Sequence, residues 1–284
     1  MKPAPFSYHA PSTVDQATSL LLELGGGAIP LAGGQSLIPL MNLGLVRPQN
    51  LVDLGNIAQL HGIESTDDDV VIRAMVTQRQ AETSDVVKSE APLLAHALSV
   101  VGFRPTRTRG TVVGSLTHAD PAAELPIVAL ALDARIRLVS QDGERVVRAE
   151  DFFLSYLTTV RQPTEIVVDV AFSRRFTSWG FAEVQRRTGD FAIVAAAVAM
   201  EPTGDMRIAL AGIADKPVRS IAAEAVINGG SVDEISAEKA GQAAAEEAEP
   251  LGDIHGSSEY RRRLIAPIVR TAVLEAVTRA AVDD

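Results

Sequence analysis

"IPLAGGQSLIPLM", Ile29 to Met41, sets two glycines, Gly33 and Gly34, between two apolar runs. Three local structures put glycine in such a place: a tight turn, a buried loop, or a cradle of backbone N–H groups around an anion. The flanks read as strand, turn and helix in that order, with "AIPLA" as a short strand and "SLIPLMNLGL" as a brief helix. An anion-binding loop requires that order. Upstream, "STVDQATSLLLELGGG" predicts a first helix. Ser12 or Thr13 caps it, Leu20, Leu21 and Leu24 share a face, and Gly25–Gly27 stop it. Downstream, "NLVDLGNI" reads as another strand.

The chain has 284 residues and is 46% hydrophobic but only 4% aromatic, so Ala, Val, Leu and Ile supply the core of a globular α/β or α+β protein. A net charge of −10 repels phosphate backbones at long range and argues against a nucleic-acid partner. A bound phosphate therefore has to be held locally, by backbone N–H groups or a few placed cations. The chain has no cysteine, which excludes disulfides, thiolate catalysis and cysteine-ligated iron–sulfur clusters within it. "MKPAPFSYHAPS" does not read as a signal peptide, and "AIVAAAVAM" is too short to span a membrane. The expected location is the cytoplasm.

Beyond Gly62, "GIESTDDDVVIRAMV" predicts a hairpin with Asp67–Asp69 at its tip, and "TSDVVKSEAPLLAHALSVVG" a helix stopped by Gly102. "ELPIVALALDA" reads as helix, "RIRLVSQDGERVVRAEDFF" as a hairpin turning at Asp142–Gly143, and "EIVVDVAF" as a strand. After a boundary near Ser173–Ser178 come the strands "FAEVQRR", "AIVAAAVAM" and "MRIALAGI", and then a helical tail.

A second stretch complements the first. "RGTVVGSLTHADPAAELP", Arg109 to Pro126, again sets small residues beside apolar ones, roughly 80 residues further on. Thr111, Gly114, Ser115 and Thr117 offer N–H groups and hydroxyls to an anion, while His118, Asp120 and Glu124 head a helix with Pro121 in its first turn. Two such loops imply a cleft between subdomains, able to hold a diphosphate on backbone donors without added positive charge.

With their flanks, the two loops resemble the medium, FAD-binding subunit of the molybdenum hydroxylases, of the aerobic carbon monoxide dehydrogenase type, with a xanthine-dehydrogenase-like FAD domain. The resemblance rests on "KPAPFSYHAP", the Ala-Gly-Gly-Gln-Ser loop Ala32–Ser36, "LIPLMN", "RPQNLVDL", the loop Thr111–Ser115, "HADPAAELP" and "RRTGDFAIVAAA", and it covers nearly the whole chain. It implies an α+β fold: a vanillyl-alcohol-oxidase (PCMH) type FAD-binding domain over residues 1–175, with subdomains of about 1–57 and 58–175. A smaller C-terminal domain over 176–284 follows, with a three-stranded antiparallel sheet and helices.

The resemblance further implies an FAD lying extended between the subdomains. Its binding set is Ile29, Pro30, Leu31, Ala32, Gly33, Gly34, Gln35, Ser36 and Leu37 on one side, with Thr111, Val113, Gly114, Ser115, His118, Asp120 and Glu124 on the other. Val167 supplies a backbone contact, and Phe181, Ala182 and Glu183 approach the flavin ring. No catalytic side chain and no metal ligand is expected in this chain. The implied partners are a large molybdenum-cofactor subunit and a small subunit with [2Fe-2S] clusters, assembled as a dimer of heterotrimers. Val113 departs from the pattern, because the family usually has glycine there. Either extended backbone tolerates the valine, or the loop shifts and FAD binds more weakly.

Several residues carry two readings. His118 and Asp120 either touch the cofactor or cap the helix that follows. Arg186 and Arg187 either meet a phosphate or a partner, or end a strand in solvent. "EYRRRL" reads as an exposed helical face, and His61 has no second ligand at metal spacing. Two rival functions stay open: a stand-alone FAD-dependent reductase or oxidase of the same fold, and a scaffold subunit that has lost FAD.

Overall fold

The computed structural model describes residues 2–283. Three larger sheets organise it, beside a two-stranded one of Phe153–Ser155 and Thr158–Thr159. The first is parallel, in the order Ser7–His9, Asn50–Asp53, Ala28–Leu31. The second is antiparallel and five-stranded: Ile63–Ser65, Asp69–Arg73, Ile166–Ser173, Arg135–Ser140, Gly143–Arg148. The third, in the C-terminal part, has four antiparallel strands rather than three: Ser178–Gln185, Ala192–Met200, Met206–Ala211 and the two-residue Val218–Arg219. That last strand is too short to leave a period-2 pattern in the sequence.

Local chemistry accounts for most boundaries. Thr13 caps the helix Val14–Leu24 by accepting the Gln16 N–H at 3.1 Å, and Gly25 ends it at φ +58°. Both expected hairpins form. The stretch read as one helix before Gly102 is instead two, Asp85–Glu90 and Pro92–Val100, because the residue before a proline resists helical backbone and Ala91 breaks the run. "EYRRRL" is not wholly a solvent face either. Arg261 is buried, donating to the carbonyls of Ile193 (2.5 Å) and Gly212 (2.7 Å) and to Asp253 (2.6 Å).

The strand Ala192–Met200 is buried at all nine positions. Alternate side chains point to opposite faces, so Ala195, Ala197 and Ala199 join the core of the N-terminal part, while Val194, Ala196, Val198 and Met200 join the core under the C-terminal helices. On one side the sheet packs against the helix Glu124–Ala131, buried at all eight positions. On the other it packs against Ser258–Asp283, closely enough that a Cβ on Gly180 would overlap the Ala272 carbonyl. The helix Glu124–Ala131 thus holds the C-terminal sheet against the core of the N-terminal part, the strand Ala192–Met200 divides the two cores, and the first residue of the helix opens onto the cleft.

Candidate functional site

Gly33 and Gly34 are required for different reasons. A side chain on Gly33 would run into the carbonyl of Arg109 and the Cα of Gly110, so the first loop lies directly on the backbone that leads into the second. Gly34 takes φ +71°, which favours glycine. The loop then enters the helix Leu37–Asn42. The N–H groups of Gly33, Gly34, Gln35 and Ser36 find no acceptor among the described residues. Four bare donors at the end of a strand form an anion-binding concavity.

The second loop is more regular than its sequence suggests. Thr111 caps a helix, Val112–His118, accepting the Gly114 N–H on Oγ1 at 3.0 Å. A Cβ on Gly114 would crowd that hydroxyl, so the cap needs glycine there. Val113 lies within the first helical turn, with its side chain buried in the core. Its backbone is therefore helical rather than extended, and it does not need the freedom of glycine. The loop is pinned from below, where Gly110 O accepts from Gln78 N (2.7 Å) and Val76 O from Val112 N (3.2 Å). The side-chain Oε1 of Gln78 is buried beside the cleft with no partner.

His118 ends the Thr111-capped helix and so does not cap the next one. Ala119 turns left-handed (φ +56°), and Asp120 Oδ1 accepts the Ala122 N–H at 2.9 Å. Pro121 lies in this turn, and the next helix begins only at Glu124. Burial lowers the pKa of His118. Glu124 is nearly inaccessible. Burial, reinforced by the charges of Glu183 and Asp120, pushes its carboxyl up to about 7.

These parts enclose a cleft of about 630 Å³. Every first-loop residue from Ile29 to Leu37 lines it, as do Thr111, Val113, Gly114, Ser115, His118, Asp120, Glu124 and Val167. Phe181, Ala182 and Glu183 do not; they lie on the strand Ser178–Gln185, away from the cleft surface. Several walls went unread in the sequence: Val101–Phe103 with Thr106, Leu157–Thr159 with Arg161, and Gly189–Phe191. Arg161 is the only arginine or lysine among the described residues lining the cleft, and it donates to the carbonyls of Gln162 and Glu165, both at 2.9 Å. A lone arginine in "TTVRQP" has no spacing to mark it, whereas "RRTGDFA" did carry a usable signal for Gly189–Phe191. Arg187 pairs with Asp190 at 3.2 Å, and Arg186 is exposed. Among the described residues no cluster of metal-ligating side chains occurs, and no helix is long and apolar enough to cross a membrane.

Comparison with known proteins agrees with this geometry. Residues 4–172 match the family described as the FAD binding domain in molybdopterin dehydrogenase, and residues 179–276 the CO dehydrogenase flavoprotein C-terminal domain. The chain is 33% identical to the carbon monoxide dehydrogenase medium chain of Hydrogenophaga pseudoflava, over 99% of this chain and all of that one. It is 36% identical to the nicotine 6-hydroxylase medium subunit of Paenarthrobacter nicotinovorans, over 98% of this chain and all of that one. A chain of quinoline 2-oxidoreductase from Pseudomonas putida 86 superposes with a TM-score of 0.94 at 36% identity, over 99% of both chains. The protein belongs to the FAD-binding medium-subunit family of the molybdenum hydroxylases. It is an oxidoreductase flavoprotein subunit, and its cofactor is FAD. The cleft fits that cofactor: bare N–H groups suit a diphosphate, Gly33 and Gly114 leave no room for a Cβ, and Gln78 Oε1 awaits a donor.

Proposed function

We propose that this chain is the electron-transfer subunit of a molybdenum-containing hydroxylase or dehydrogenase, taking electrons from iron–sulfur clusters of a small partner subunit and passing them to an external acceptor. Bound FAD supplies the redox chemistry. The chain's own residues bind, orient and exclude water. In this reading the Gly33–Ser36 backbone holds the diphosphate, Thr111, Gly114 and Ser115 close in from the other side, Glu124 hydrogen-bonds near the adenosine half, and Val167 contributes through its backbone. Residues 1–175 form the FAD domain, with subdomains of about 1–57 and 58–175, and residues 176–284 form the C-terminal domain.

The observation that carries the reading is the pair of loops meeting at Gly33 and lining a common cleft, with the unpaired N–H groups of the first loop along it. The absence of cysteine supports the division of labour, since any clusters must sit in a partner. That partner and a large molybdenum subunit assemble with this chain as a dimer of heterotrimers in the cytoplasm. Two measurements test this. The purified chain should show flavin absorbance and release one FAD on acid denaturation. Co-expression with both partners should yield a single large species on gel filtration. A chain that stays monomeric beside its partners and turns over a substrate of its own would instead be a stand-alone flavin enzyme.

A further inference from the structure

Glu183 sits one layer behind the cleft rather than on its surface, and its carboxyl is incompletely partnered. Oε2 is buried without a hydrogen bond. Oε1 accepts from Gln185 Nε2 at 2.9 Å. The other end of that amide, Gln185 Oε1, accepts the N–H of Gly189 at 3.0 Å. Gly189 begins the cleft wall Gly189–Phe191, with φ +87° and no room for a side chain beside the Phe103 ring. Gln185 stands at the register shift that ends the strand pairing, where a bulge re-aims a side chain. A single amide thus ties the Glu183 carboxyl to the wall.

Two more carboxyls line the nearby cleft: Glu124 begins its helix and Asp120 sits in the turn before it. The charges of Glu183 and Asp120 both raise Glu124, whereas Glu183 is raised by burial alone, and His118, on the preceding helix, feels only Asp120. Among the described residues no cation offsets them, and only the backbone N–H of Glu124 opposes the rise. Burial pushes Glu183 up to about 7, beside Glu124 at about 7.

We propose that Glu183 is a positioning residue of the FAD cleft, holding the Gly189–Phe191 wall through Gln185, and that the charge on this carboxyl, whose Oε2 has no partner, sets how tightly the cleft takes its anionic ligand. This rests on the reading of the cleft as the FAD site. The diphosphate is anionic, so a second ionised carboxylate behind the wall opposes it. An ionised Oε2 also competes for a donor, and the nearest amide is already committed between Oε1 and Gly189.

The test uses the full chain, stripped of flavin and titrated with FAD between pH 6 and 8, with binding read by flavin fluorescence. In the wild type, affinity should fall several-fold as pH rises. E183Q still accepts from Gln185 but cannot ionise, so it should match the wild type at pH 6 and lose clearly less affinity than the wild type by pH 8, the remaining fall being that of Glu124. Q185A should bind about tenfold more weakly throughout while keeping the wild-type slope. Circular dichroism and thermal melts confirm that both variants are folded. An E183Q curve that follows the wild type, or a Q185A affinity equal to it, overturns the proposal while leaving the cleft reading intact. A wild type that takes up no FAD at any pH overturns both.

Discussion

At Gly33 the missing Cβ lets one loop rest on the backbone of Arg109 and Gly110, and at Gly34 it permits a left-handed turn. Gly26, by contrast, has nothing within 4 Å of a built side chain and ordinary backbone. Gly33→Ala and Gly34→Val should therefore weaken FAD binding by at least about tenfold, a cost on the order of 1–3 kcal/mol of strain. Gly26→Ala should leave binding unchanged, which makes it the control in a fluorescence titration. The buried carboxyls lead to a pH effect on the flavin-free chain. Glu124 and Glu183 lie at about 7 in the folded state against an ordinary 4.5, so between those values the folded chain binds more protons than the unfolded one. Their contribution is fully present below about pH 4.5 and is lost as pH rises through about 7. Urea unfolding at pH 5, 6, 7 and 8 should show stability falling over this range, and Glu124→Gln should flatten the fall.

Among the elements, the five-stranded sheet carries a charge ladder across its strands. Glu64, Arg73, Asp169, Arg137 and Glu144 alternate in sign, one from each strand, with Asp169 buried at the centre. Such cross-strand pairs stabilise a sheet and penalise slipped registers. Asp169→Ala leaves Arg73 and Arg137 with only their outer carboxylates. It should cost about 2 kcal/mol in urea unfolding, less than the ~3–5 kcal/mol of an isolated buried pair, because each arginine keeps one partner. The hairpins of this sheet were legible in the sequence because one face alternates. The helix Val112–His118 was not, since Gly114 and two β-branched valines in seven residues look like loop, and only the Thr111 cap and core burial of Val112, Val113 and Leu116 make it helical.

For the whole molecule, three separate segments are tied together at Asp133, just past the helix Glu124–Ala131. Its carboxylate takes Arg148 at 2.9 Å from the five-stranded sheet, Arg175 at 3.0 Å from the connecting segment and Arg207 at 3.1 Å from the C-terminal sheet. Burial works to raise the pKa of Asp133, but the Arg148 hydrogen bond and the three positive charges outweigh it and hold the carboxyl below its ordinary range. The pairing therefore contributes above the unfolded value of 3.8 and is lost as pH falls through the lower folded value. Asp133→Ala should destabilise by about 2 kcal/mol, roughly 5 °C in thermal midpoint. It should also shrink the loss of stability that the wild type shows in acid.

By itself the sequence determined the two glycine loops, the order of strand, turn and helix around them, the alternating strands, and the absence of any cysteine to hold a cluster. These follow from residue type and from neighbours a few positions away. Only the tertiary structure decided that Gly33 abuts Arg109, that Arg261 turns inward to two carbonyls, and that Arg161 and Gly189–Phe191 complete the cleft while Glu183 stands behind it. Each of those outcomes depends on which distant segments packing brings together. That is set by how the two cores pack on either face of the strand Ala192–Met200, with the helix Glu124–Ala131 on one of them, not by any local propensity.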